Sequence, residues 1–126
     1  MVSVPAGTWH EAGVRLSNAA GEEVTIGVAR SPLEVFVDRR RSRVTPFHAA
    51  YPGRHAGPVD WRDRSITLRI LFDRSVVEVF ANDGETVITD RVFPTQPLDR
   101  VELLPRGDGR PAAYMWTLGS VWTARD

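Results

Sequence analysis

The chain predicts an all-β fold, a two-sheet antiparallel β-sandwich of the jelly-roll or concanavalin-like kind. Three observations carry this. Short segments alternate apolar and polar residues, Gly, Pro and Asn turns separate them at fairly regular spacing, and no stretch shows helical periodicity. A closed barrel is the alternative.

The elements follow in order. "GVRLSN" (13–18) and "EVTIGV" (23–28) alternate around Ala19-Ala20-Gly21, a hairpin signature. Ser31-Pro32 then breaks the chain before "LEVFVD" (33–38), which puts Leu33, Val35 and Val37 on one face. "SITLRILF" (65–72) aligns Ile66, Leu68, Ile70 and Phe72, and "VVEVFA" (76–81) follows. Asn82-Asp83-Gly84 is a strong turn, because Asn and Gly accept positive φ at little cost. "TVITDRVF" (86–93) returns from it. "RVELLP" (100–105) and "AAYMWTLGSVW" (112–122) are the last two strands, divided by the loop Arg106 to Arg110. Between Arg39 and Arg64 no strand is expected; this long loop carries His48, Tyr51, His55 and Trp61. It folds over one sheet, burying Phe47 and Tyr51, or serves a function, and the two do not exclude each other.

With 126 residues the chain is expected to form one domain, residues 1–126, with a real hydrophobic core. Sixteen basic residues, all arginine, balance sixteen acidic ones, so no net field draws the chain to nucleic acid or an anionic membrane. The absence of cysteine excludes disulfides, thiolate metal sites and cysteine nucleophiles. No apolar run reaches the length of a membrane span, and "MVSVPAGTWHEAG" lacks the regions of a signal peptide.

Charge interrupts two of the most strand-like segments. Asp38-Arg39 stands where "LEVFV" ends, Asp73-Arg74 where the Ile70–Phe72 run ends, and Glu78 lies inside the next strand. If Val77 and Val79 face the core, Glu78 shares the outer face with Phe80. If they do not, the carboxylate is driven inward and needs an arginine partner. Two readings of the cluster stand side by side. A structural network could tie strand ends together. Alternatively, fixed guanidinium and carboxylate groups could converge on neighbouring sugar hydroxyls, which both donate and accept hydrogen bonds.

Catalytic patterns are weak. Sixteen acids supply many carboxylate pairs, so a glycosidase pair carries no information. No nucleophile-elbow pattern surrounds a serine, and His10, His48 and His55 lack metal-ligand spacing. No metal or other cofactor is expected. No basic stripe interleaved with aromatics suggests a nucleic acid partner.

The segment "LRILFDRSVVEVFANDGETVITDRVFP" (68–94), with "LEVFVDRRRS" (33–42) upstream and "WTLGSVW" (116–122) at the end, closely resembles the C-terminal β-sandwich module of glycoside hydrolase family 32. That family includes levanases, invertases and inulinases, and the resemblance extends from about Val2 to Trp122. It implies a module excised from a larger, secreted hydrolase. The family's catalytic signatures lie on a separate N-terminal propeller: an Asn-Asp-Pro-Asn-Gly motif, an Arg-Asp-Pro motif and a Glu-Cys motif. None occurs here, so the chain alone is expected to be non-catalytic.

The resemblance also implies a choice of role. Such modules either pack against and stabilise a catalytic propeller in cis or, as carbohydrate-binding modules of family 66, hold the terminal fructose of fructans such as levan and inulin. Carried onto this chain, the ligand-binding set would be Asp38, Arg39, Asp73, Arg74 and Glu78. Arg39 and Glu78 would grip fructose hydroxyls in one shared hollow. Trp61, Tyr51 or Trp116 would offer an aromatic platform.

Overall fold

A computed structural model describes residues 2–7, 9–41, 53–73 and 75–105, and the backbone of 112–113. Among these residues ten strands make two five-stranded sheets. Sheet A, in the order β10-β1-β6-β7-β8, contains β1 (Val2–Pro5), β6 (Ser65–Asp73), β7 (Val76–Ala81), β8 (Thr86–Arg91) and β10 (Ala112–Ala113). Sheet B, in the order β5-β4-β3-β2-β9, contains β2 (Glu11–Ser17), β3 (Glu23–Arg30), β4 (Leu33–Asp38), β5 (Arg54–Pro58) and β9 (Arg100–Leu104). Every pairing is antiparallel.

The period-two patterns build the core. Val24, Ile26 and Val28 from β3, Val35 and Val37 from β4, Ile66 and Leu68 from β6, and Val77 and Val79 from β7 are all fully buried. They form one cluster between the sheets, with Ile70 and Phe72 packed against it. Branched side chains suit this position, because they fill a pleated, half-buried surface with little loss of rotamer freedom. The Ala19–Gly21 turn joins β2 to β3 as expected, with Gly21 at φ +85°. Asn82 and Asp83 are left-handed at φ 49° and 60°. Asn82 repays this by accepting from the Thr67 amide through Oδ1 (3.1 Å) and donating to the Asp60 carbonyl (2.8 Å).

Two strands depart from expectation. β1 was not foreseen; it is only four residues long, yet Val2 and Val4 are buried and pair with Leu68 and Ile66. β5 lies inside the stretch expected to be strandless. Its sequence, Arg-His-Ala-Gly-Pro, has no branched residue and ends in Pro58. Such a segment survives as a strand at a sheet edge, where one side needs no ladder partner. A Cβ at Gly57 would come within 2.7 Å of Thr86 Cγ2 on β8, so a larger residue there would have to push that side chain aside. The expected strand at 112–122 is described at Ala112–Ala113 alone, and Phe47, His48, Tyr51 and Trp116 lie outside the described residues.

A buried carboxylate closes one end of the sandwich. Glu22, fully buried in the β2–β3 hairpin, accepts from the Thr95 amide with both oxygens (2.9 and 3.0 Å), from Thr95 Oγ1 (3.0 Å) and from Asn18 Nδ2 (2.9 Å). Asn18 also donates to the Gln96 carbonyl (3.0 Å). The hairpin of sheet B is thereby fastened to the segment leaving sheet A after β8. Burial pushes the Glu22 carboxyl up, but the hydrogen bonds from Asn18, Thr95 and Gln96 outweigh it and hold the group below its ordinary 4.5. A lowered folded value stabilises the fold above the unfolded value and is lost as pH falls through the folded one. Glu22→Gln should therefore cost about 1–3 kcal/mol at neutral pH. It should also flatten the loss of stability below about pH 4.5 in urea titrations at stepped pH.

Candidate functional site

The strands bring Asp38-Arg39 and Asp73 to the same end of the sandwich. Asp73 closes β6 and pairs with Val76, which pairs with Arg91 on β8. The Arg91 carbonyl accepts a hydrogen bond from Arg39, which follows β4. Arg39 and the Asp73 turn are thus linked through one residue of β8.

They do not share a hollow. Arg39 continues the inward face of Val35 and Val37 and is only 6 % exposed. Its Nη1 donates to the Arg91 carbonyl and lies 3.8 Å from Asp90 Oδ1. Asp90 is itself buried, and its Oδ1 lies 2.5 Å from His55 Nδ1. His55 stands on β5, the edge of sheet B, and Asp90 on β8, the edge of sheet A. The Arg39 amide also donates to the Gly53 carbonyl (2.7 Å), and Thr86 Oγ1 donates to the Pro58 carbonyl. Together these contacts sew the two sheet edges to each other. Among the described residues Asp90 Oδ2 is buried without a hydrogen bond, and the Arg39 guanidinium meets the charge of the carboxylate on the Oδ1 side.

The remaining positions scatter. Asp38 lies on the outward side of β4 and is gripped by Arg40, whose Nη2 approaches to 2.6 Å. Burial raises the Asp38 carboxyl, but the Arg40 hydrogen bonds and the charges of Arg40 and Arg54 bring it below its ordinary value. Glu78 lies on the outward face of sheet A with Val76 and Phe80, because Val77, Val79 and Ala81 face the core. Asp73 is exposed. Arg74 lies outside the described residues. Trp61 packs against the core beside Trp9, their ring centroids 5.9 Å apart.

An open hollow of about 590 Å³ does exist at this end. Phe72, Ser75, Phe93, Thr95, Gln96 and Leu98 are among its lining residues; Arg39 and Glu78 are not. Among the described residues, no three of His, Asp and Glu gather where a metal ion would fit.

Sequence reasoning missed Asp90 and its partnership with His55. The signal was present: in "TVITDRV", Ile88, Asp90 and Val92 fall on one alternating face and Val87, Thr89 and Arg91 on the other. An inward aspartate demands a cation, and Arg39 extends an inward face in the same way.

Comparison with known proteins agrees with this architecture. The family model described as "Glycosyl hydrolases family 32 C terminal" matches residues 1–117. The chain belongs to this family. It is 39 % identical over 90 residues to a levanase of Bacillus sp. (strain L7), covering 71 % of this chain and 10 % of that protein. It is 34 % identical over 107 residues to a levanase of Bacillus subtilis (strain 168), covering 84 % of this chain and 16 % of that protein. The exo-inulinase of Aspergillus awamori superposes with a TM-score of 0.73 at 27 % identity, covering 81 % of this chain and 20 % of that one. The chain therefore spans between a tenth and a fifth of these proteins. In family 32 enzymes the C-terminal sandwich is a domain separate from the catalytic propeller, so this chain is a non-catalytic module.

The geometry separates the motif residues by stability. Arg39→Ala leaves Asp90 buried without its cation and should cost about 3–5 kcal/mol in denaturant unfolding. Glu78→Ala, on the outward face, should stay within about 0.5 kcal/mol of the parent.

Proposed function

We propose that this family 32 domain is a structural module that packs against, and stabilises, the catalytic propeller of the same polypeptide. The single observation behind this reading is the burial of Arg39. The guanidinium that would grip a sugar is instead committed to the Arg91 carbonyl and the Asp90 carboxylate between the sheets. A group sealed in this way stiffens the domain and is not offered to a ligand. The parent protein, on this reading, is a fructan- or sucrose-hydrolysing enzyme. An extracellular setting accords with relatives such as the extracellular exo-inulinase of Aspergillus awamori.

One observation favours a second reading, recognition of terminal fructose in levan- or inulin-type fructans. The hollow beside Ser75 offers the ring of Phe93 with Thr95 and Gln96 on its rim, a mix of apolar surface and hydrogen-bonding groups that suits a sugar. On this reading the sugar contacts come from the segment after β8 and not from Arg39.

Isothermal titration separates the two. The structural reading expects no heat with levan, inulin or fructose at millimolar concentration, and a rise in thermal midpoint when the chain is mixed with its catalytic domain. Saturable heat with a fructan, lost on Phe93→Ala, together with no response to the catalytic domain, would establish the second reading in its place.

A further inference from the structure

The outward faces of the two sheets differ in kind. On sheet B the charges pair with one another: Arg15 with Glu23 (3.5 Å) and Glu102 (3.2 Å), Arg54 with Glu34 (2.8 Å), and Asp38 with Arg40. Its large aromatic among the described residues, Phe36, is buried beneath the Arg54 guanidinium, 4.6 Å from the ring centre. That surface is paired charge by charge, with Arg15 Nε left without a hydrogen bond.

Sheet A is not. Its outward face carries three registered rows across β6, β7 and β8: Arg69–Phe80–Val87, Leu71–Glu78–Thr89 and Asp73–Val76–Arg91. Leu71 is 37 % exposed and Val87 49 %. Leu71 on its own row, and Val87 with half-buried Phe80 and Val76 on the adjacent rows, flank Glu78, with Arg69 and Arg91 at the corners. Among the described residues the Glu78 side chain takes part in no hydrogen bond or ion pair. An apolar frame around an unpaired carboxylate is costly to leave in water on the apolar side. Covered, it demands a donor for the carboxylate.

We infer that the outward face of sheet A is the surface that seats the catalytic domain of the same polypeptide, with Glu78 as its polar anchor. The assignment rests on the docking reading above and names the face it uses. The register of β1 supports this occupant. The family match is to a C-terminal domain and the relatives are several times longer, so on the docking reading the catalytic domain precedes this region. β1 lies in sheet A and runs antiparallel to β6, with Val2 opposite Leu68 and Val4 opposite Ile66. Polypeptide preceding Val2 is therefore delivered at the level of Arg69 to Asp73, the stretch that carries Leu71. The complementary patch on the catalytic domain is apolar and presents a guanidinium or amide donor to Glu78, since a carboxylate buried at an interface must be paired.

Hydroxyl-radical footprinting tests this on the 126-residue chain, alone and joined to the catalytic domain that precedes it. Leu71, Phe80 and Val87 should be labelled at least fivefold less in the joined protein. Val101, an exposed apolar residue (44 %) on edge strand β9 of sheet B, should be labelled equally in both. Protection of Val101 with sheet A unchanged would overturn the choice of face while leaving docking intact. Protection at none of these positions would overturn docking and the face together. In a complementary binding assay between the separate domains, Val87→Arg should weaken association at least tenfold without moving the thermal midpoint of this chain. Unchanged association would contradict the assignment.

Discussion

The domain turns on one buried guanidinium. Arg39 sits between the sheets, donates to the carbonyl of Arg91 and compensates the charge of Asp90, which in turn meets His55 across the seam. Taking Arg39 and Asp90 out of water is expensive, and their mutual contact, with half-exposed His55 at the rim, is what makes the arrangement tolerable. The consequence is geometric. The edge strands β5 and β8 belong to different sheets, and this chain of contacts fixes one against the other where backbone pairing does not. Glu22 acts similarly nearby, binding the β2–β3 hairpin to the segment after β8.

That choice of where to put charge is what the proposed structural role rests on. A sugar-gripping guanidinium has to reach solvent with donors unspent. Arg39 faces inward because the alternation of β4 leaves no other side for it after Val35 and Val37. The groups that do face outward on sheet A, Glu78 above all, stand among Leu71, Phe80 and Val87 and not around a cleft. Buried charge therefore holds the fold, and outward apolar surface with one carboxylate is available for association.

Much of the fold was legible because period-two alternation is a direct physical consequence of the pleat. Val35 and Val37, Ile66 and Leu68, and Val77 and Val79 declare their inward face without tertiary information. The turns at Gly21 and Asn82–Gly84 were legible for the same kind of reason, since few residues accept those dihedrals. β5 was not legible. Arg54 to Pro58 has no strand propensity of its own, and it becomes a strand because β4 offers it an edge. The site was legible as a set of interesting residues and not as a constellation. Sequence brings Asp38-Arg39 and Asp73-Arg74 to strand ends, and the register does place those ends together. Whether a side chain at such an end turns in or out depends on one step of alternation, and that step sends Arg39 inward and Glu78 outward. Asp90 was overlooked because it sits in the middle of a strand that otherwise reads as ordinary.

The most direct test of the account is the state of the Arg39 guanidinium itself. In nitrogen-detected NMR of the labelled chain, its Nη–H signals should exchange slowly with water and stay unmoved through a titration with a fructose-terminated oligosaccharide to millimolar concentration. Rapid exchange, together with a shift of those signals that saturates as the sugar is added, would mean that Arg39 faces a ligand and that the seam described here is not its role.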